Sequence, residues 1–246
     1  MHYTISLLFL FGLSGALSGQ PGLSIDKLSD NKWTYNEYLI DRSEGFHRLG
    51  GINEKDSTYG IITVHGYYPM GWQTKGFEWV KPLMTLSHHE IPVWFFRYDW
   101  TDCPDHSVDY LIHQTEILID ANSHLDSLWI IGHSMGGLIA SLFAEQWGNR
   151  FPVTIHSIAA PLTGMNVDMR GCDKINRTEY KISSTVNYTQ WKTVHSQDGA
   201  FRKLKVDPQD VNIESGKIIL LPEEWNDTRL GHTRSIQWVC ENLLKL

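Results

Sequence analysis

The run GHSMGG at residues 132–137 places Ser134 between glycines in a Gly-x-Ser-x-Gly pattern. The apolar run 128–131 precedes this segment and a helical pattern follows it, so Ser134 is predicted to lie on a tight turn from a strand into a helix. A serine on such a turn has a strained backbone and an exposed hydroxyl, and the glycines let the helix pass close to the strand. The pattern predicts a nucleophilic hydroxyl, with the Met135 amide at the helix N-terminus facing an oxyanion formed on the substrate.

The same run resembles the nucleophile elbow of the α/β-hydrolase superfamily, and of its lipase-like branch in particular. The resemblance covers residues 58–246 and implies an α/β fold, with a mostly parallel central sheet, helices on both faces and a small cap or none. It also implies a serine hydrolase of the lipase or esterase type that cleaves carboxylic esters through an acyl-enzyme. Neither a cofactor nor a metal ion is expected.

The general base that activates Ser134 is expected near the C-terminus, because the resemblance implies the chain order nucleophile, acid, histidine. His232 is the only histidine beyond position 195, and it precedes the predicted last helix on a loop. His195 competes for this role, but it lies within a strand pattern and precedes the acid. His133 is expected to point away from Ser134 on the turn.

The acid that orients the histidine is expected just after the strand predicted at residues 191–195. Asp198-Gly199 resembles the aspartate and glycine that follow this strand in lipases, and a buried carboxylate there would orient the imidazole and stabilise its protonated form. Asp-Gly is also an ordinary turn dipeptide, so Asp207 and Asp210 are alternatives.

A second donor to the oxyanion is expected from the loop after the strand predicted at residues 60–65. His65-Gly66 at the end of this apolar run resembles the oxyanion loop of lipases, which implies that the backbone amides of Tyr67 and Met135 bind the tetrahedral oxygen. His65 itself is predicted to be structural and to bridge loops through its ring nitrogens.

Two further segments are candidates for the walls of the site. Pro161 to Gly164 resembles a lipase stretch in which a proline, a variable pair and a glycine leave a strand, although Leu162 replaces the usual histidine and Met165 the usual serine. An aromatic-rich cluster after the oxyanion loop either lines a cleft suited to an acyl chain or packs the next helix on the sheet. Its members are Tyr67, Tyr68, Pro69, Met70, Trp72, Phe77 and Trp79.

The composition predicts one domain with a full hydrophobic core. The chain has 246 residues, of which 41% are hydrophobic. Its 21 basic and 28 acidic side chains give a net charge of −7 without a long run of either sign, which argues against a nucleic acid as partner. After the N-terminus, no apolar run approaches the length of a membrane span.

Strand and helix patterns alternate along the chain, which predicts a parallel sheet covered on both faces. A strand pair is expected within residues 33–50, and residues 161–190 are interpreted as the one long insertion, with room for a small lid. Ser107 is expected to cap the helix that follows it. The remaining strands are predicted at 60–65, 92–98, 128–131, 153–160, 191–195 and 217–221, and helices at 76–87, 108–123, 138–147 and 236–244.

The N-terminus predicts entry into the secretory pathway. Residues 5–17 form a mostly apolar stretch of signal-peptide length, and a small-x-small pattern ends at Ser18. Cleavage there would remove residues 1–18 and leave a single domain of residues 19–246. Because the first residues lack lysine and arginine, a buried first strand is the alternative.

Three Asn-x-Thr sequons follow, at Asn176, Asn187 and Asn226. Together with a signal peptide, they favour N-glycosylation at these asparagines. The protein is therefore expected to be secreted, or to lie in the lumen of the endoplasmic reticulum or of a lysosome.

Three cysteines in an oxidising compartment predict one disulfide and one free thiol, and three pairings are open. Cys103 and Cys172 are favoured, because both follow predicted strands at the same edge of the sheet. Cys240 lies on the apolar face of the last helix and is expected to be a small buried hydrophobe. No cysteine or histidine spacing suggests a metal site.

The function predicted from these features is that of a secreted serine hydrolase, most simply a lipase whose substrate is an acyl ester at a lipid surface. An acyl-protein or other acyl thioesterase and a short-chain carboxylesterase are alternatives, because the same three groups serve all these reactions. A binding protein that keeps the fold without the activity is a third hypothesis.

Overall fold

The computed structural model describes residues 22–30, 36–55, 57–164, 172 and 175–243. The predicted signal peptide and its cleavage site lie outside these residues. Most of the described chain forms one eight-stranded sheet with helices on both faces, which confirms the predicted fold class.

The described residues contain twelve strands and five α-helices. The strands are β1 (Leu23–Ser24), β2 (Gly45–Gly50), β3 (Tyr59–Val64), β4 (Val93–Arg97), β5 (Ser127–His133), β6 (Val153–Ile158), β7 (Glu179–Lys181), β8 (Val186–Lys192), β9 (Asn212–Glu214), β10 (Lys217–Leu220), β11 (Glu224–Trp225) and β12 (Thr228–Arg229). The helices are α1 (Ile25–Ser29), α2 (Phe77–Ser87), α3 (Pro104–Ala121), α4 (Met135–Gln146) and α5 (Gly231–Asn242).

The central sheet has the strand order β1-β2-β4-β3-β5-β6-β8-β10. β2 runs antiparallel to β4, and all other neighbours in this sheet are parallel. β3, β5, β6 and β8 are consecutive in the sheet, so the segments that follow these strands emerge at one edge. In α/β sheets with this arrangement, ligands bind at the carboxyl ends of the strands.

Helices α3 and α4 cover one face of the sheet, and α1, α2 and α5 cover the other. Alternate residues of a strand supply the two cores, since Ile62 and Val64 of β3 belong to the first and Ile61 to the second. Burial on both faces explains why the central strands read as continuous apolar runs rather than as alternating patterns.

The predicted strand pair within residues 33–50 is wrong, because the described part of this segment holds one strand, β2, and a single helical turn at Asn36–Ile40. Leu39 and Ile40 are fully buried in that turn. They pack against Gly76, where a Cβ would lie 2.9 Å from Ile40 Cγ1. Tertiary packing thus overrides the β-propensity of this segment.

Helix α3 begins at Pro104, so Ser107 is buried inside the helix and does not cap it. Cys103 occupies the N-cap position, and proline is well suited to the first helical position because its fixed φ is already helical.

The strand predicted at residues 191–195 begins and ends earlier, as β8, and a short 3₁₀ turn at His195–Gln197 follows it. The segment 161–190 therefore contains β7 and most of β8 and is not one continuous insertion. A small lid is expected within residues 161–190, and residues 165–171 and 173–174 of that segment lie outside the described residues.

Cys103 and Cys172 form a disulfide with a Cα–Cα distance of 5.4 Å, and this is the pair that the sequence favours. Cys240 is free and fully buried in α5, where burial raises the pKa of its thiol. The third cysteine therefore packs as an apolar residue.

The asparagines of the three sequons, Asn176, Asn187 and Asn226, are all exposed, as a glycosylation site requires. Within the described ranges, no helix combines the length and the hydropathy that crossing a membrane demands.

Candidate active site

Ser134 connects the end of β5 to the first turn of α4. Its backbone angles, φ 55° and ψ −123°, lie outside the regions that L-residues favour, as expected for a serine on a strained turn. The Ser134 amide donates to Ile158 O at 2.9 Å, so the turn is tied to the neighbouring strand β6. Its side chain is half-buried and lines a cavity at the carboxyl edge of the sheet.

The glycines around Ser134 permit the close approach of α4 to the sheet. A Cβ on Gly132 would collide with the backbone of Gly136, and a Cβ on Gly136 would collide with the carbonyl oxygens of Val64 and His65. Glycine is therefore required at these positions, because the backbones of α4, β5 and the end of β3 are in direct contact there, as the sequence pattern indicates.

Gly136→Ala is expected to lower the free energy of unfolding by roughly 3 kcal/mol, because the added methyl group would occupy the place of two backbone oxygens. Urea unfolding of the purified variant measures the change. Gly148→Ala is the matched control, since the nearest atom to a Cβ at that glycine lies at 3.9 Å. Equal destabilisation by the two substitutions would contradict the importance of close packing at Gly136.

The sequence predicts His232 on the loop before the last helix, but α5 begins at Gly231 and His232 lies in its first turn. Its Nδ1 lies 2.9 Å from Asp198 Oδ2. Because an ionised carboxylate only accepts hydrogen bonds, Nδ1 carries the proton and Nε2 keeps a free lone pair. Nε2 is thus available as a proton acceptor.

The carboxylate of Asp198 is fully buried in the turn after β8 and accepts four hydrogen bonds. Thr193 Oγ1 and His232 Nδ1 donate to Oδ2 at 2.5 and 2.9 Å. The amides of Ala200 and Phe201 donate to Oδ1 at 2.8 and 3.0 Å. Burial by itself raises the pKa of Asp198, but hydrogen bonding, above all from His232, lowers that pKa overall. The group beside the imidazole is therefore an ionised carboxylate.

The alternative acids and the alternative base are engaged elsewhere. Asp207 and Asp210 both pair with Lys192, Asp207 at 3.8 Å. His195 Nε2 donates to Phe201 O at 2.9 Å. None of these three described side chains lines the cavity that contains Ser134 and His232.

The loop after β3 lies directly beside Ser134. β3 pairs with β5, and a Cβ on Gly66 would lie 3.1 Å from Ser134 Cβ. Tyr67 lines the same cavity as Ser134. Met135 is the first residue of α4, so its amide has no acceptor in a preceding helical turn. Both segments predicted to donate to an oxyanion therefore flank the serine.

His65 has the structural role that the sequence predicts. Its Nδ1 donates to Gly66 O at 2.8 Å, and its Nε2 accepts from the Tyr98 amide at 3.5 Å. The ring is fully buried and stacks on Tyr98 with 4.3 Å between centroids. Burial lowers the pKa of His65 to about 3, so the ring is neutral at physiological pH.

The cavity has a volume of about 690 Å³. Ser134 and His232 both lie on its wall, and no hydrogen bond joins their side chains within the part of the chain that the structure describes. Pro161 and Gly164 form part of the wall, as the lipase-like stretch implies.

The aromatic-rich cluster divides between the two roles that the sequence leaves open. Trp79 is fully buried in the core on the α2 face, and Met70 is fully exposed. The members that line the cavity are Tyr67, Tyr68, Pro69, Trp72 and Phe77.

Comparison with solved structures gives the same architecture. A poly(3-hydroxybutyrate) depolymerase of Bordetella parapertussis aligns with a TM-score of 0.52 and 10% identity, over 81% of this chain and 82% of that one. An α/β serine hydrolase without a lid, from Xanthomonas campestris, aligns with a TM-score of 0.50 and 15% identity, over 81% and 86% of the two chains. The chain has the α/β-hydrolase fold.

The sequence of the chain matches known proteins over a shorter stretch than its structure does. No protein-family model matches the chain. A proline iminopeptidase of Saccharolobus solfataricus is 30% identical over 128 residues, which are 46% of this chain and 40% of that protein. The match thus spans less than half the length of this relative.

His133, the residue before Ser134 in this α/β-hydrolase fold, supports His232 through a contact that the sequence does not predict. His133 lines the cavity, although it was expected to point away. Its Nε2 donates to His232 O at 3.1 Å, and the two rings lie 4.6 Å apart. Burial, together with the neighbouring His232, lowers the pKa of His133 well below its usual value, so the ring is neutral. The only feature of the sequence that could have indicated this role is the position of His133 directly before Ser134.

His133→Phe is expected to lower kcat by up to about 10²-fold, because the loss of a backbone anchor allows His232 to shift from its productive position. Steady-state hydrolysis of a p-nitrophenyl ester measures the effect. His156→Phe is the control, since His156 is a buried histidine on β6 that does not line the cavity. An unchanged kcat in folded His133→Phe would show that His133 does not position His232.

Proposed function

We propose that the protein is a serine hydrolase that cleaves carboxylic esters, with Ser134 as nucleophile, His232 as general base and Asp198 as the group that orients the histidine. The observation that carries this proposal is the Asp198–His232 hydrogen bond of 2.9 Å. It leaves His232 Nε2 as the proton acceptor in the cavity that Ser134 also lines. The α/β-hydrolase fold and the strained turn at Ser134 support the same assignment.

The first half of the proposed reaction forms an acyl-enzyme. Substrate binding brings Ser134 Oγ and His232 Nε2 within hydrogen-bond distance, as is common when a free site is filled. Oγ bonds to the acyl carbon while its proton passes to Nε2, and the amides of Tyr67 and Met135 stabilise the oxyanion. The bond to the alcohol oxygen then breaks, and the alcohol leaves with the proton from Nε2.

The second half of the reaction is hydrolysis of the acyl-enzyme. A water molecule gives one proton to His232 Nε2 and bonds to the acyl carbon. The bond to Ser134 Oγ breaks, Oγ recovers the proton from Nε2, and the carboxylic acid leaves. Asp198 remains ionised throughout and stabilises the imidazolium that forms in each half.

Acyl lipids are the substrates that the shape and chemistry of the cavity support best. A cavity of about 690 Å³ with largely apolar walls suits an acyl chain. Met70, Trp72 and Phe77 are large, exposed apolar side chains on or next to the cavity wall, and such a surface is suited to contact with lipid. Thioesters and short-chain esters are the alternatives, and a chain-length series of esters and thioesters separates the three.

A secretory compartment is part of the proposal. The disulfide between Cys103 and Cys172 is typical of proteins in oxidising compartments, and the three sequon asparagines are exposed. Both observations are consistent with cleavage of a signal peptide at residues 1–18 and with N-glycosylation.

Labelling with a fluorophosphonate probe tests the proposed reaction. We expect the probe to modify Ser134, identified by mass spectrometry of the labelled peptide, and we expect heat-denatured protein to remain unlabelled. A folded protein that is silent toward this probe and toward acyl esters of every chain length would overturn the proposal and favour a hydrolase-fold binding protein.

A further inference from the structure

Glu78 is an acidic residue on the wall of the cavity that the proposed reaction does not use. It lies in the first turn of α2. The hydroxyl of Tyr68 donates to Glu78 Oε1 at 2.5 Å, and Tyr68 is itself buried with 6% exposure. A fixed hydrogen bond therefore holds this carboxyl group in place beside the space that a substrate would fill.

No residue with a permanent positive charge faces Glu78 among the described residues that line the cavity. Among the described residues that line it, none is lysine or arginine. Burial raises the pKa of Glu78 overall, because the hydrogen bond from Tyr68, a backbone hydrogen bond and the charge of a protonated His232 offset only part of that rise. A cationic group entering the cavity would therefore stabilise the ionised carboxylate.

Aromatic side chains occupy the same cavity as Glu78. Tyr67, Trp72, Phe77 and Phe201 line it, and Trp72 and Phe77 are 53% and 52% exposed. The face of an aromatic ring attracts a cation, and recognition of quaternary ammonium groups by several rings is a common use of this effect. Carboxylate and rings together favour an ammonium group over a carboxylate or a phosphate.

We propose that Glu78 determines specificity by binding an ammonium group of the substrate. This inference rests on the proposed function and specifies its substrate class: esters that carry a quaternary or primary ammonium group. The group can belong to the alcohol, as in a cationic lipid head group, or to the acyl chain, and the chemistry of recognition is the same for both.

Two pairs of isosteric esters test the proposal, because the members of each pair differ by one positive charge. The first pair is butyrylcholine, the butyrate ester of choline, and 3,3-dimethylbutyl butyrate, in which a carbon atom replaces the charged nitrogen. The second pair is the p-nitrophenyl ester of a trimethylammonio-alkanoic acid and its tert-butyl counterpart. In at least one pair, we expect kcat/KM for the cationic ester to exceed that for the neutral ester by about tenfold.

In Glu78→Gln, this ratio is expected to fall severalfold toward one, since the amide keeps the shape of the side chain without its charge and only the weaker attraction of the aromatic rings remains. Glu116→Gln is the matched control, because Glu116 is exposed on α3 and does not line the cavity, and its ratio is expected to equal that of the wild type. If Glu78 acted only through the charge of His232, the substitution would slow both esters equally and leave the ratio unchanged, which would overturn the proposal.

Inhibition of the wild-type protein gives a second test that does not depend on the folding of a variant. Choline is expected to inhibit hydrolysis of a neutral ester at about a tenfold lower concentration than its neutral carbon isostere does. Ser134-dependent hydrolysis with equal rates in both pairs and equal inhibition would overturn the role of Glu78 and leave the proposed function intact. Absence of any Ser134-dependent hydrolysis would overturn both.

Discussion

Ser134→Ala is expected to lower kcat for a p-nitrophenyl acyl ester by about 10⁶-fold, which is the loss that follows removal of the nucleophile in enzymes that act through an acyl-enzyme. The hydroxyl oxygen is the atom that bonds to the acyl carbon, and among the described residues no other serine lines the cavity. The residual rate comes from the groups that bind the substrate and its oxyanion. Initial rates over a range of substrate concentrations measure the change, and fluorophosphonate labelling is expected to disappear with it.

Ser127→Ala provides the control for this substitution. Ser127 begins β5, the strand that Ser134 follows, and therefore lies at the opposite end of the same element. The Ser127→Ala variant is expected to keep the kcat and the labelling of the wild type. Labelling of Ser134→Ala to the level of the wild type would show that another residue is the nucleophile.

The turn at Ser134 was predictable because its requirements are local. An apolar run, a serine between glycines and a helical pattern are contiguous in the chain, and each indicates the same strand, turn and helix. The structure adds the atoms that make the glycines necessary, since the space for a Cβ on Gly136 is filled by the carbonyl oxygens of Val64 and His65.

The approach of Asp198 and His232 to this turn depends on the order of the strands, which follows from the fold. β5, β6 and β8 are neighbours in the sheet, so the turn after β8 lies near the turn after β5. The resemblance to the α/β-hydrolase superfamily supplied this order. Composition and spacing alone would not have selected Asp198 over Asp207 or Asp210.

Contacts between distant segments could not be predicted from the sequence. His133 holds the histidine through a hydrogen bond to the backbone oxygen of His232, which lies 99 residues further along the chain. The helical turn at Asn36–Ile40 contains apolar residues that would also suit a strand, and two of them, Leu39 and Ile40, are buried beside Gly76 in the helical form. Tertiary packing determines the conformation of such segments, and the sequence shows no periodic pattern of apolar residues that would predict it.

Asp198→Asn is expected to lower kcat by about 10⁴-fold, as the same change of the triad aspartate does in serine proteases. Oδ1 of Asp198 accepts from the amides of Ala200 and Phe201, so the asparagine must place its oxygen there and direct its NH₂ group toward His232. That NH₂ group donates a hydrogen bond, and Nδ1 of His232 must then accept it. The proton of the ring moves to Nε2, which can no longer accept the proton of Ser134.

Because the asparagine has nearly the size and shape of the aspartate, the Asp198→Asn variant is expected to fold, and its thermal unfolding shows whether it does. Steady-state kinetics on the same p-nitrophenyl ester measure the loss, and it is expected in kcat more than in KM, since the tautomer affects the chemical step and not the walls of the cavity. Asp207→Asn is the matched control, because that carboxylate pairs with Lys192 outside the cavity. If folded Asp198→Asn kept a kcat near that of the wild type while Asp207→Asn lost it, Asp207 would be the orienting acid.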